Sequence, residues 1–299
     1  MLETLKKILL IEKYKLALRT NTKLYRKLKN LQIMSDAETL RYIINHRCSV
    51  SRFGDGEFAV MAGGKNGFQK DDTHLAERLR EVINTENTHL LICIPYTLKL
   101  NHANMRMDSQ LFTYGWLSND GMKEVYPFAR ANRQYGDTNC TRFYMWRRNK
   151  SNVPQLVSLL KQIWQDRDLC IIEGRYSRLG VGNDLFDNAK SIIRVLGPEK
   201  SAFDKYDELL EAGKKYGQSR LVLIAMGMTA TVLAYDLSKL GIQAIDIGHV
   251  DVEYMWWKMK ARKKVPIPSR YVNEAGGNIQ ADPYTSDETY LKQIALTIL

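Results

Sequence analysis

Six short apolar runs, at residues 49–53, 90–95, 169–173, 191–196, 221–227 and 244–248, recur between stretches with helical spacing at 73–84, 153–164, 202–215 and 229–240. Most of these runs are continuous and do not alternate with polar residues. A strand reads that way when helices cover both faces of its sheet. The succession predicts an α/β, Rossmann-like fold with a mostly parallel sheet covered by helices on both faces. Residues 36–46 predict a further helix, with Ser35 as N-cap and Glu38 closing a capping box. Residues 101–150, rich in Tyr, Trp, Met and Arg, lack this periodicity and read as a lobe inserted beside the sheet.

A chain of 299 residues can bury a full core, and 44% apolar with 26% charged residues is ordinary for a soluble protein. No apolar run is long enough to span a bilayer, and no signal-peptide pattern is present, so a cytoplasmic location is expected. Cys48, Cys93, Cys140 and Cys170 show no paired metal spacing and read as buried thiols of a reducing compartment. The formal charge of +11 is uneven: residues 1–30 hold nine Lys/Arg against Glu3 and Glu12, which is +7 of the total. That distribution argues against nucleic acid as a partner. Residues 1–34 instead read as a basic, partly amphipathic helical extension before a domain at 35–299. Its apolar positions could serve a homodimer, an anionic membrane at the inner face of the cell, or packing on its own domain.

The segment Ser51-Arg-Phe-Gly-Asp-Gly-Glu-Phe58 follows the first apolar run. Read as extended backbone, it sends Asp55 and Glu57 to one face about 7 Å apart, within reach of one cation. Gly54 and Gly56 leave room for a phosphate or sugar to approach the backbone. A hard divalent cation takes one or two carboxylates and fills its shell with substrate phosphate oxygens. Asp-Gly is also a common turn dipeptide, so the motif alone does not establish a site.

In a parallel sheet, ligands gather beyond the carboxyl ends of the strands. Polar and glycine residues collect there: Glu173-Gly-Arg-Tyr-Ser-Arg after one strand, Gly227-Met-Thr after another, and Gly248-His-Val-Asp-Val-Glu after the last. Arg175, Ser177 and Arg178 offer donors suited to a nucleotide phosphate or sugar hydroxyls. Gly227 and Thr229 open a helix whose unpaired N–H groups could receive a phosphate. His249 could ligate a metal or act as a base. Tyr254, Trp256 and Trp257 stand at helical spacing, which suits core or a sugar-stacking surface.

The blocks SVSRFGDGEF, GFQKDD, EGRYSRLGVGNDLFDNAKSI, LIAMGMTATVLAYDLSKLGIQAIDIGHVDVEY and YVNEA, in this order, closely resemble the GT-D type glycosyltransferases of bacteria, across residues 35–275. The resemblance implies a Rossmann-like nucleotide-sugar transferase whose Asp-x-Glu motif, here Asp55-Gly56-Glu57, holds Mn²⁺ or Mg²⁺ against the diphosphate of a UDP-sugar. By match, Arg52, Asp55 and Glu57 form the UDP–metal site, and Ser177, Arg178, Gly182, Asn183 and Asp184 line the nucleotide-sugar pocket. His249 would lie near the metal or diphosphate, and Asp251 or Glu253 would deprotonate the acceptor. The implied reaction moves a hexose to a saccharide acceptor, lipid-linked or protein-linked, in surface glycan or glycoprotein synthesis. Two other readings use the same residues differently: a metal-dependent phosphoesterase or nucleotide hydrolase needing no acceptor, and a non-enzymatic protein recruited to RNA or lipid by its basic helix.

Overall fold

A computed structural model describes residues 2–64, 72–268, 270–276 and 287–299. Nine strands are β1 (Gln32–Ile33), β2 (Ser49–Arg52), β3 (Leu90–Ile94), β4 (Gln134–Asp137), β5 (Asp168–Gly174), β6 (Ser191–Gly197), β7 (Leu221–Ala225), β8 (Ala244–Asp246) and β9 (Ile294–Thr297). The helices are α1 (Leu2–Thr20), α2 (Thr22–Lys29), α3 (Asp36–His46), α4 (Asp55–Met61), α5 (Thr73–Asn84), α6 (Met107–Asn119), α7 (Gly121–Glu124), α8 (Val153–Trp164), α9 (Tyr206–Gly217), α10 (Met228–Lys239), α11 (Val250–Lys258) and α12 (Glu288–Gln293).

The strands form one sheet in the order β1-β4-β3-β2-β8-β7-β5-β6-β9, and its strand pairings are parallel. Each of the six apolar runs lies on a strand, β2, β3 and β5 to β8, as their unbroken apolar character requires. Successive side chains of β5 serve opposite layers. Leu169 and Ile171 join one core with Leu40, Ile43, Leu156 and Leu160 of α3 and α8. Cys170 and Ile172 join another with Leu209 of α9 and Leu233 and Leu237 of α10. Tyr254 and Trp256 fall in the first of these cores, so they are packing residues. All four cysteines are buried free thiols.

α3 starts as its sequence requires: Ser35 N–H donates to Glu38 Oε2 at 2.8 Å, and Glu38 N–H returns to Ser35 Oγ.

One segment differs from the sequence expectation, and a second takes one of the alternatives left open there. Residues 101–150 are not wholly a lobe beside the sheet, because β4 lies within it, between β1 and β3. Gln134-Tyr-Gly-Asp137 is short and polar, and it is held by pairing and not by hydrophobic pattern; a Cβ on Gly136 would sit 2.5 Å from Cys93 Sγ. The basic N-terminal helices lie on the domain: Ile11 and Leu18 of α1 and Leu24 and Leu28 of α2 are buried, α1 packs along α6, and Gln32–Ile33 supplies the edge strand. Lys27 Nζ donates to the Tyr126 carbonyl at 2.5 Å. No helix among the described residues is long and apolar enough to cross a membrane.

Candidate active site

Because the strands run parallel, their carboxyl ends share one rim. Loops leaving β2, β4, β5, β6, β7 and β8 converge there on a cavity of about 330 Å³. Arg52, Gly54, Asp55, Glu57, Ser177, Gly227, His249 and Asp251 line it, with Thr138, Arg142, Tyr176, Glu199, Lys200, Asp246, Tyr271 and Glu274.

Arg52 anchors the floor. Its Nη2 donates to Asp246 Oδ1 at 2.9 Å and its Nη1 to Thr141 Oγ1 at 2.8 Å, while Thr231 Oγ1 donates to the Arg52 carbonyl at 2.9 Å. Burial works against the charge of both partners; Asp246 holds the guanidinium above its ordinary value, whereas burial leaves the Asp246 carboxyl raised despite Arg52. Gly248 makes this pair sterically allowed. It has φ +46°, and a Cβ there would lie 1.9 Å from Arg52 Nη2.

The Asp-Gly-Glu motif is not extended, which corrects the geometry expected from sequence. Asp55 begins α4, with Gly54 as its N-cap, and Glu57 in the first turn folds back so that its Oε2 accepts the Gly54 N–H at 2.8 Å. The short carboxylate-to-backbone return is what turns the chain into a helix here. Asp55 is exposed at the cavity mouth and Glu57 half-buried behind it. Burial pushes the Glu57 carboxyl from 4.5 to about 7; the Gly54 N–H opposes this, and Asp246 and Asp55 add to it.

The wall after β5 is braced from beneath. Glu173 is buried; its Oε1 accepts from Arg194 Nη1 at 2.5 Å, its Oε2 from the Leu179 N–H at 2.7 Å, and Arg194 Nη2 donates to the Leu179 carbonyl at 2.9 Å. This fixes the loop that presents Tyr176 and Ser177. The remainder of the expected pocket set lies elsewhere. Arg178 is buried and absent from the lining, Gly182 is exposed, Asn183 Nδ2 donates to Asp251 Oδ1 at 2.7 Å, and Asp184 pairs with Lys161 at 2.8 Å and Lys258 at 3.1 Å. The chain turns at Gly180 and Gly182, both with positive φ, which carries these residues away from the rim. Gly227, with φ +57°, reaches the lining, but Thr229 is buried behind it.

The structure also gives Asp251 and Glu253 duties other than proton transfer. Asp251 accepts from the Gly180 N–H at 2.9 Å and pairs with Arg270 Nε at 2.5 Å. Glu253 Oε2 accepts from the Tyr144 and Met145 N–H groups at 2.7 and 2.8 Å. Both are buried on the first turn of α11, holding neighbouring loops in place.

His249 is half-buried beside cations. Burial lowers its imidazole to about 3, with Arg142, Arg52 and Lys264 contributing, so the ring is neutral at ordinary pH. Arg142 and Lys264 each pair with Glu274, the Lys264 contact at 2.5 Å. The three expected metal ligands therefore form no preassembled triad, and no group of three His, Cys, Asp or Glu among the described residues could hold a metal by itself. The site still fits a hard cation that brings phosphate oxygens with it: two carboxylates line the cavity, and among the described residues no cation lies at hydrogen-bond distance from Glu57.

A second cavity, about 460 Å³, adjoins the first and shares Gly54, Asp55, Thr138, Arg142 and Glu274 with it. Its other side is α6, which offers Asp108, Ser109, Phe112, Thr113 and Trp116, faced by Trp146. The Trp146 Nε1 is buried without an acceptor among the described residues.

Sequence reasoning missed Arg142, Glu274 and the α6 wall. Glu274 stands in the YVNEA block and could have been found there, whereas Arg142 lies in the segment set aside as aperiodic. The GFQKDD block lies outside the described residues except for Asp72, which caps α5 by accepting from the His74 and Leu75 N–H groups.

Residues 50–275 match the family model described as glycosyltransferase GT-D fold. The chain is 38% identical over 282 residues to the glycosyltransferase GlyD of Streptococcus pneumoniae serotype 4 (strain ATCC BAA-334 / TIGR4), covering 94% of this chain and 34% of that protein. It is 36% identical over 272 residues to the probable glycosyl transferase Gly of Streptococcus gordonii, covering 90% of this chain and 39% of that one. The chain thus spans little more than a third of the curated relatives it matches. A solved structure of the domain of unknown function 1792, described as having a distinct glycosyltransferase fold, superposes with a TM-score of 0.87 at 35% identity, over 93% of this chain and 99% of that one. A glycosyltransferase of the same domain type from Streptococcus sanguinis superposes at 0.84 with 34% identity, over 90% of this chain and all of that one (100%). The sheet order, the rim site and these matches together establish that the chain belongs to the GT-D family of glycosyltransferase folds.

Proposed function

We propose that this chain transfers a hexose from a UDP-sugar to a saccharide hydroxyl with the help of a divalent cation, Mn²⁺ in the first place and Mg²⁺ as substitute. One observation carries the reading: Asp55 and, behind it, Glu57 line a cavity that is cationic and glycine-lined and that shares Asp55, Arg142 and Glu274 with a second, partly aromatic cavity. When bound, the cation supplies positive charge to the diphosphate as UDP departs. Asp55 and Glu57 would hold it.

The protein does the rest. Arg142 and Lys200 present cations to the developing phosphate charge, and the neutral ring of His249 can donate a hydrogen bond without adding charge. Ser177 and the backbone around Gly227 suit sugar or phosphate oxygens. The second cavity suits the acceptor, because Phe112, Trp116 and Trp146 can stack on sugar rings while Ser109 and Asp108 bind hydroxyls. Asp251 and Glu253 are buried and committed to backbone N–H groups; Glu274, paired with Arg142 and Lys264, is the candidate for taking the acceptor proton if those cations turn to the diphosphate. Apart from Asp55, it is the carboxylate that borders both cavities.

The test is a thermal-shift titration with UDP, GDP, ADP and CMP, with and without Mn²⁺. A UDP-selective rise in melting temperature that needs Mn²⁺ and disappears in Asp55→Ala is expected, together with a loss of sugar transfer of about a hundredfold or more. Release of phosphate or UDP at the same rate with and without a saccharide acceptor would overturn the reading in favour of hydrolysis.

A further inference from the structure

We propose that α1 docks this protein onto an anionic phospholipid bilayer through the face it turns away from the domain. The inference rests on the helix geometry and is independent of the transferase reading.

At about 3.6 residues per turn, positions nine apart lie on opposite sides of a helix, and positions seven apart on the same side. α1 is seated on the domain by Ile11 and Leu18, with Tyr14 between them against Gly115 of α6. Nine residues earlier stand Leu2 and Leu9, and Leu16 continues their row. These three are 68%, 62% and 65% exposed, and Leu5 beside them is 53% exposed. Of the thirteen exposed large hydrophobic residues among those described, six are on α1. The helix is therefore apolar on two opposite faces, and packing explains only one of them.

Charge indicates what covers the other face. Exposed Lys6 and Lys13 border the leucine row on one side and Arg19 stands on the other. Of the helix's own acids, Glu12 pairs with Lys15 at 2.7 Å, whereas Glu3, near the start of the helix, lies 3.7 Å from Lys7, whose closer partner is Asp108 of α6 at 2.8 Å. A second copy laid on this face would bring lysine rows together, which costs free energy. Anionic headgroups complement them while leucines enter the acyl boundary.

The test uses the full chain and sedimentation with vesicles of phosphatidylcholine alone or with about 30% phosphatidylglycerol. Binding is expected only with phosphatidylglycerol, and weaker at about 0.5 M than at about 0.1 M salt. Leu9→Ser/Leu16→Ser and, separately, Lys6→Glu/Lys13→Glu should each cut the partition coefficient at least about tenfold with an unchanged melt. Three outcomes would overturn the proposal: no preference for the anionic vesicles, wild-type binding by the charge-reversed variant, or a dimer in sedimentation velocity that the leucine variant abolishes.

Discussion

The two cavities share a wall yet are built on different principles. The rim cavity is made of charges delivered by the ends of parallel strands, each held by a partner: Arg52 on Asp246, Arg142 on Glu274, the β5 loop on the buried Glu173–Arg194 pair. The α6 cavity sets the aromatic and hydroxyl side chains of α6, with Trp146, against charged residues such as Arg106, Lys263 and Lys264 from several separate segments. In the first, position is enforced by electrostatics in a dry environment; in the second, by packing. The first should therefore be sensitive to loss of a single partner, and the second tolerant of it.

The largest effect is expected where the rim is braced. Arg194→Met leaves the Glu173 carboxylate buried without its cation and should cost about 3–5 kcal/mol, read as a lowered denaturant midpoint. A cost under about 1 kcal/mol would mean that the pair is not what holds the β5 loop.

The next concerns Asp137 at the end of β4, beside Thr138 on the shared wall. Its carboxylate accepts the Tyr96 and Asn139 N–H groups at 3.0 and 2.9 Å, yet burial pushes it from 3.8 to about 7. Between those values the folded protein keeps a proton that the unfolded chain has released. Stability from this group is thus highest below the unfolded value and falls as pH rises through the window. Asp137→Asn should flatten the decline in melting temperature between about pH 4 and 7 by an amount equivalent to a few kcal/mol at most. An unchanged slope would place the titration elsewhere.

The smallest effect belongs to the aromatic side. Phe112, 56% exposed, is expected to contribute about 1 kcal/mol of sugar stacking, so Phe112→Ala should raise the acceptor KM several-fold and leave the Mn²⁺-dependent UDP shift intact. If the UDP shift falls instead, the division of the two cavities is wrong.

The same contrast separates what was legible from what was not. β2, β3 and β5 to β8 could be read because a strand covered on both faces must be continuously apolar, and that pattern is local. α3 could be read from Ser35 and Glu38, whose capping hydrogen bonds span three residues. The rim residues Asp55, Glu57, Ser177, Gly227 and His249 could be gathered because each follows a strand and parallel strands end together, whereas Arg52, the last residue of β2, was named by the family resemblance. Asp251 and Glu253 could not be given their duties from sequence: the N–H groups that engage them come from Gly180, Tyr144 and Met145, far along the chain. β4 escaped notice because its pairing, not its composition, makes it a strand.

The sequence by itself determined the layered α/β architecture, the strand-end position of the acidic motif and the excess of positive charge on the first helix. Each is a statement about neighbours within a few residues of one another. Only the tertiary structure decided that Asp251 and Glu253 are braces and that α6 walls a second cavity. It also decided which apolar face of α1 is covered. The physical reason is common to all three. A carboxylate, an aromatic ring or a leucine acquires its function from the groups it meets, and those groups are brought to it by loop closure over distances that no local pattern encodes.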